Sequence, residues 1–385
     1  MTIEKLVAGG DGLARHQGVL LFVPRAAPGD RLRVRLVERR PDYGRAEIVE
    51  LLAPGPGRRT PPCPYFERCG GCDLQHLEDS LQVRLKAGAV AETLERLAGV
   101  ALPSLEVLAG EAWGYRLRTQ LHVAPRPEPG GGAVAVGYHA RGSHELVAVD
   151  RCPILVPALE ALLPELPRLL GERPPRRLDL AAGDRDEVTS APVVPGLPHH
   201  EVETAVGEAV YGYDARVFFQ AHRGLLGALV ERAVGGWEGE QAFDLFCGVG
   251  LFTVPLARHY GRVVAVEGDA TAARYARRNA RRNRAGNVAV VTRALESWVR
   301  ELPAGAARVL VDPPRDGLAR PLRRALRERP PARLTYVSCH PATLARDLRE
   351  LDAAFTVESL TALDLFPQTG HMETIAQLVR RPAGG

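Results

Sequence analysis

The sequence predicts an α/β chain that begins with a small OB-like β-barrel and ends in a Rossmann-like sheet, and three observations carry that prediction. From about residue 206 onward, apolar strand-like runs alternate with helical segments, the pattern of a doubly wound sheet. Within that region the strand Ala242–Leu245 runs into Gly248 and Gly250 and then a helix, and a second strand ends on Glu267. The first 53 residues read instead as short alternating strands separated by turn signals. At 385 residues the chain is long enough for two or three separate cores.

The barrel, placed at residues 1–55, takes its strands from Val19–Val23, Leu32–Val37 and Ala46–Leu51, punctuated by Gly9-Gly10-Asp11-Gly12 and Pro28-Gly29-Asp30. Ala53–Pro62 is rich in Pro and Gly, lacks apolar periodicity and reads as a linker. Residues 56–205 mix a helix at Ser80–Ala98 with strands at Leu117–Val123 and Val134–Tyr138, an α+β middle domain. After the Pro-rich Pro192–Pro198, residues 206–385 form the third domain.

Hydrophobic residues make up 45% of the chain and charged ones 25%, and no run approaches the ~20 apolar residues of a membrane helix. Met1–Leu6 lacks an apolar signal core, so a cytoplasmic location without membrane contact is expected. The net charge of +4 is compatible with an anionic partner without demanding one. Lys5 and Lys86 are the only lysines among 50 basic residues, as codon bias in a GC-rich genome or a preference for Arg forks would produce. In such a compartment the six cysteines point to metal binding or catalysis rather than to disulfides.

Gly248 and Gly250 let the backbone approach a ligand at a helix start, and Glu267 stands where a carboxylate reaches both ribose hydroxyls, so an adenosine-type cofactor is expected. A dinucleotide would favour a third glycine where Thr253 stands, and Asp244 just before the loop suits a methyl donor, S-adenosylmethionine. Two later strands, Arg308–Val311 and Leu334–Ser338, end on Asp312-Pro313-Pro314-Arg315 and on Cys339, at the edge of the sheet where ligands bind. Cys339 reads either as a buried small hydrophobe or as a nucleophile, its thiolate favoured by the helix Ala342–Leu348 that follows.

A thiolate serves a methyltransferase when the acceptor carbon is itself a poor nucleophile, as C5 of a pyrimidine is. Addition at C6 moves electron density to C5, and after methylation a base must remove the C5 hydrogen. His371 and Glu373, at the start of the last strand Thr374–Val379, are both candidates, and spacing leaves the choice open. Cys63, Cys69 and Cys72, in a C-x5-C-x2-C arrangement, with Cys152 far downstream, suit Zn or a [4Fe-4S] cluster in a structural or RNA-ordering role.

Taken together, these motifs resemble the RNA uracil-C5 methyltransferases that carry an N-terminal TRAM barrel and a [4Fe-4S] cluster, best known for 23S ribosomal RNA. The resemblance spans nearly the whole chain: Val23–Asp30, the four cysteines, Phe218-Phe219-Gln220, the FDLFCGVG loop, Asp312–Arg315, Ser338-Cys339 and His371–Glu373. It implies Cys339 as nucleophile, Glu373 as base, a [4Fe-4S] cluster on Cys63, Cys69, Cys72 and Cys152, and Gln220, Phe246, Glu267 and Asp312 around the donor and target base. It also implies a monomer acting on a uridine flipped out of an RNA loop, with tRNA uracil-C5 methylation, RNA cytosine-C5 methylation or a non-catalytic RNA-binding assembly role as alternatives. Leu251, His340 and His222 stand where the family usually has Asn.

Overall fold

The computed structural model describes residues 1–125, 134–171, 174–198 and 200–382. The N-terminal sheet has five strands in the order Lys5–Leu6, Gly12–His16, Val19–Val23, Tyr43–Ala53 and Arg31–Arg39. A bridge between Thr2 and Arg31 joins its two edges, so the sheet curls around Ile3, Ala14, Val23, Ala26, Leu32 and Ala46. The stretch expected to be a loose linker is anchored. The fully buried Asp30 accepts from Gly55 N at 2.8 Å and pairs with Arg58, while Arg59 pairs with Asp79 at 2.6 Å. Gly55 approaches the Pro28 carbonyl so closely that a Cβ would lie 2.2 Å from it, which explains a glycine where apolar periodicity is absent.

Five antiparallel strands form the middle sheet, in the order Val188–Ala191, Arg177–Ala182, Arg118–Pro125, Val134–His139 and Leu146–Ala148. The large sheet has eight: Val288–Thr292, Tyr260–Glu267, Gly239–Leu245, Arg308–Val311, Arg333–Ser338, Glu373–Arg380, Phe355–Leu363 and Leu105–Leu108. The first five are parallel and Glu373–Arg380 is antiparallel to its neighbours. Fully buried strands such as Arg308–Val311, apolar from Val309 onward, reflect helices on both faces.

Three strands of this sheet carry no clear signal in the sequence, Val288–Thr292 at one edge being the first. Phe355–Leu363 changes from mixed exposure to full burial halfway along, which blurs its period, and Leu105–Leu108 is four residues arriving from the middle of the chain. The helix Asp79–Ala98 matches expectation to one residue and ends where Gly99 takes the left-handed conformation. Its Ala87, Val90, Leu94 and Ala98 repeat at helical spacing and pack with Leu344, Leu348 and Leu351 of the helix Pro341–Leu351, fixing the middle of the chain against the large sheet. Among the described residues no helix is long and apolar enough to cross a membrane.

Candidate active site

The carboxyl ends of the parallel strands open on a cavity of 700 Å³. Gly239–Leu245 delivers Phe246, a non-glycine residue at φ +65°, followed by Gly248 at +54° and Gly250 at +91°. That left-handed run turns the chain sharply from the strand into the helix Thr253–His259. Glu267, ending the next strand, accepts from Gly248 N and Asp269 N, each at 2.8 Å, so one carboxylate braces the glycine loop while retaining lone pairs for a ligand. Phe246, Gly248 and Glu267 line the cavity, whereas Gly250 lies behind it, against Ala276.

Asp312 and Cys339 follow adjacent parallel strands and line the same cavity. Because the last strand runs antiparallel, with Ser338 paired to Thr374, its beginning lies at the edge where the others end, and this brings Glu373 beside Cys339. His371 precedes the strand and lines the cavity as well, its Nε2 3.2 Å from Arg315. Gln220 arrives from the segment after the hairpin Val202–Val206/Ala209–Tyr213, anchored by Phe219 stacked on Tyr213 at 4.1 Å. Phe218 beside it is 62% exposed, with the Arg118 guanidinium over its ring. The Gln220 amide oxygen is buried without a hydrogen-bond partner.

Electrostatically the site is dominated by acids: Glu373 and the half-buried Asp312 and Glu267 line the cavity, and the buried Asp244 lies behind it. Burial raises Asp244 to about 7, against a hydrogen bond from Thr253 that pulls it down. Burial also raises Asp312 and, further, Glu373, and each carboxyl's charge opposes the ionisation of its acidic neighbour. The expectation that a helix start would favour the Cys339 thiolate is reversed. Burial pushes the thiol up to about 11, helped by Glu373 and Asp312, and Arg315 opposes this only in part. His371 moves the other way, to about 4, through burial and then the charges of Arg315 and Lys86.

The three departures from the usual motif have local explanations. His340 Nδ1 accepts from Thr343 N at 3.3 Å and so caps the following helix, as an Asn side chain also does. His222 is fully buried and stacks on Tyr115 at 4.7 Å, with Nε2 3.1 Å from the Glu111 carbonyl, a packing role. Leu251 contributes an apolar side chain to the cavity wall. On the arginine-rich helix Ala270–Arg282, Arg278 and Arg282 pair with Glu201, and Arg277 binds the Val290 carbonyl and Thr292, so much of that charge is spent within the fold.

The four expected ligand cysteines are all free thiols and line one separate cavity of 190 Å³. Cys72 is the most deeply buried, and the other three add like charge that raises it to about 12 after burial itself. Tyr138 Oη donates to Cys152 Sγ at 3.8 Å. Among the described residues no group of three or more His, Cys, Asp and Glu side chains closes on a single ion.

A glycine loop braced by the carboxylate that ends the second strand, on a parallel sheet closed by an antiparallel last strand, defines the class: an S-adenosylmethionine-dependent methyltransferase, here with a cysteine and two acids lining the same cavity. Residues 208–381 match the model described as tRNA (Uracil-5-)-methyltransferase, and residues 1–49 match the TRAM domain. The sequence is 36% identical to the 23S rRNA (uracil(1939)-C(5))-methyltransferase RlmD of Cronobacter sakazakii over 99% of this chain and 96% of that one. The fold is similar to the crystal structure of Pyrococcus abyssi tRNA (uracil-54, C5)-methyltransferase in complex with S-adenosyl-L-homocysteine, with TM-score 0.76 and 25% identity over 98% and 100% of the two chains. The chain belongs to the RNA uracil-C5 methyltransferase family.

Proposed function

We propose that the protein methylates C5 of a uridine in 23S ribosomal RNA, with Cys339 adding to C6 of the base and Glu373 removing the C5 proton. The observation that carries this is the single cavity in which Cys339, Glu373, Asp312 and Gln220 meet the glycine loop and Glu267. Ribosomal rather than transfer RNA is favoured by the 36% identity to the rRNA enzyme along the full length. Uracil is favoured over cytosine by Gln220: its unpartnered buried oxygen suits the N3–H donor of uracil, where cytosine offers only an acceptor.

When bound, the methyl donor supplies a methyl group on a positively charged sulfonium. The Cys339 thiolate forms the S–C6 bond and pushes the C5=C6 electrons toward C5 and O4, and C5 takes the methyl. Glu373 then accepts the C5 proton, the C5=C6 bond re-forms and the thiolate leaves. Glu373 suits the base role better than His371, because a carboxylate whose proton affinity burial has raised is a stronger base than an imidazole held at about 4. Methylation of 23S rRNA transcripts, read by nucleoside mass spectrometry, tests the reading. 5-Methyluridine at one position in 23S rRNA is expected, and methylation confined to tRNA would overturn the choice of RNA.

A cation about 4 Å from a carboxylate at an effective dielectric near 20 is worth about 4 kcal/mol, roughly three pKa units. Bound sulfonium should therefore strip protons from the raised acids, whereas the neutral thioether of S-adenosylhomocysteine should release fewer. Calorimetry in buffers of different ionisation enthalpy near pH 6.5 checks this, and equal proton release for both ligands would contradict it.

Cys63, Cys69, Cys72 and Cys152 are assigned to a [4Fe-4S] cluster that pins residues 63–72 to Cys152 and takes no part in methyl transfer. Four cysteines outside any disulfide around one cavity supply the thiolate set such a cluster takes. Purified protein should contain about four irons with a broad visible absorption, and Cys72→Ser should lose both. Zinc in place of iron would overturn the assignment. The domains proposed are the barrel at 1–55, which would grip RNA by charge and shape, a cluster-bearing unit within 56–205 and the methyltransferase unit at 206–385, the last also taking in the strand Leu105–Leu108, the helix Asp79–Ala98 and the first strand of the hairpin Val202–Val206/Ala209–Tyr213.

A further inference from the structure

The segment Phe366–Met372, which leads into Glu373, has no regular structure of its own, yet it is held from four directions. At its centre Gln368 is fully buried in the left-handed conformation, φ +67°, an arrangement that a non-glycine residue keeps only when its surroundings enforce it. Those surroundings are specific. The Gln368 carbonyl accepts from Asp73 N at 2.8 Å and Leu74 N at 3.0 Å, the two amides that follow Cys72. Its side chain donates to Asp79 Oδ1 and accepts from Gln82 Nε2, both at 2.8 Å. Two residues on, Gly370 N donates to Asp73 Oδ2 at 2.9 Å, and Gly9 N of the barrel donates to Gly370 O at 3.3 Å.

The fit admits little slack. A Cβ on Gly370 would lie 2.2 Å from the Gly9 carbonyl carbon, and one on Gly10 would lie 3.0 Å from Gly370 Cα. Asp73 is itself fixed by Arg141, which also pairs with Asp11 of the same barrel turn. Tyr115 Oη donates to the Pro367 carbonyl at 2.9 Å, and Lys86 Nζ donates to the Phe366 carbonyl at 3.1 Å. The barrel turn, the cysteine loop and the helix Asp79–Ala98 therefore converge on the segment that presents His371 and Glu373.

We propose that Asp73 and Gln368 are positioning residues for the deprotonation step: they clamp Phe366–Met372 so that the Glu373 carboxylate meets the C5 hydrogen. The inference rests on Glu373 as base. Gln368 lies outside the cavity and Asp73 only lines its wall, and Cys339 is carried by the neighbouring strand Arg333–Ser338, so the clamp bears on Glu373 before it bears on addition and methyl transfer. A shift of about 1 Å in a reacting group costs about 100-fold in rate, and deprotonation should bear that cost alone.

The two halves of the reaction can be timed separately. With 5-fluorouridine RNA the reaction stops at the methylated covalent adduct, because fluorine in place of the C5 hydrogen is not removed as a cation. Adduct formation therefore reports addition plus methyl transfer, while turnover on ordinary RNA adds deprotonation and release. For Asp73→Ala and for Gln368→Asn, which tolerates the left-handed conformation but has a shorter reach, kcat should fall about 30- to 100-fold. KM for RNA and the adduct-formation rate should stay within about 2-fold, and methylated adduct should accumulate on ordinary RNA. Asp73→Asn, which keeps an oxygen for Gly370 N, should recover most of kcat.

Equal losses in adduct formation and turnover, a rise in KM with kcat unchanged, or unaltered kinetics would each overturn the proposal. Glu373→Gln run in parallel separates the two readings. If it accumulates adduct and the Asp73 and Gln368 variants do not, the clamp is wrong and the base stands; if it accumulates none, the base assignment itself fails.

Discussion

Cys339→Ala is expected to lower RNA methylation by about 10⁴-fold or more, since removing a covalent nucleophile abolishes the route rather than slowing one step. Donor binding should change little, because the glycine loop and Glu267 lie on other strands. Incorporation of labelled methyl into RNA, set against equilibrium binding of S-adenosylhomocysteine, separates the two. The pH profile of the unmodified enzyme follows from the same thiol. With Cys339 near 11 in the ligand-free protein, the thiolate fraction rises with pH throughout the neutral range, and the raised Glu373 carboxyl ionises in the same direction. The value of kcat/KM should therefore climb between about pH 6 and 9, and a profile falling with pH would contradict the assignment.

Glu373→Gln should have the second largest effect and a different signature. An amide of the same shape fills the site but accepts no proton, so turnover should fall by about 10²- to 10⁴-fold, the usual worth of a positioned general base. Methyl transfer precedes the blocked step, so the covalent, methylated RNA–protein species should accumulate and be visible on a denaturing gel. His371→Gln should cost far less, because a ring held at about 4 by burial and Arg315 is a poor proton acceptor at neutral pH. If instead His371→Gln accumulates the adduct and Glu373→Gln turns over normally, the two roles are exchanged.

The parts of this site that were legible in the sequence are those written into local backbone and period. Gly248 and Gly250 mark a turn that only certain residues make, and apolar strands ending on Glu267, Asp312 and Cys339 declare the carboxyl edge of a parallel sheet. What depends on pairing between distant segments was not legible. The pairing of Ser338 with Thr374 brings Glu373 to Cys339, and no spacing along the chain reveals an antiparallel last strand. The charge state of Cys339 is likewise not a local property: the helix start beside it is visible in the sequence, whereas the burial and facing carboxyls that raise the thiol come from the fold. Gln368 carries no signal at all: a polar residue between Pro367 and Thr369 reads as exposed loop, and its burial arises only when the cysteine loop and the helix Asp79–Ala98 close over it. Likewise the Pro/Gly stretch after Ala53 reads as loose until Arg58 and Arg59 find Asp30 and Asp79.

The central claim is that one thiol, Cys339, attacks C6 of a uracil in RNA. Incubating the protein with S-adenosylmethionine and 5-fluorouridine-containing 23S rRNA fragments, then identifying the cross-linked peptide by mass spectrometry, tests it directly. A stable adduct carrying one added methyl is expected, with the nucleotide on the peptide containing Cys339 and no adduct from Cys339→Ala. A cross-link mapped to another residue, or methylation of ordinary RNA with no adduct on the fluorinated one, would contradict it.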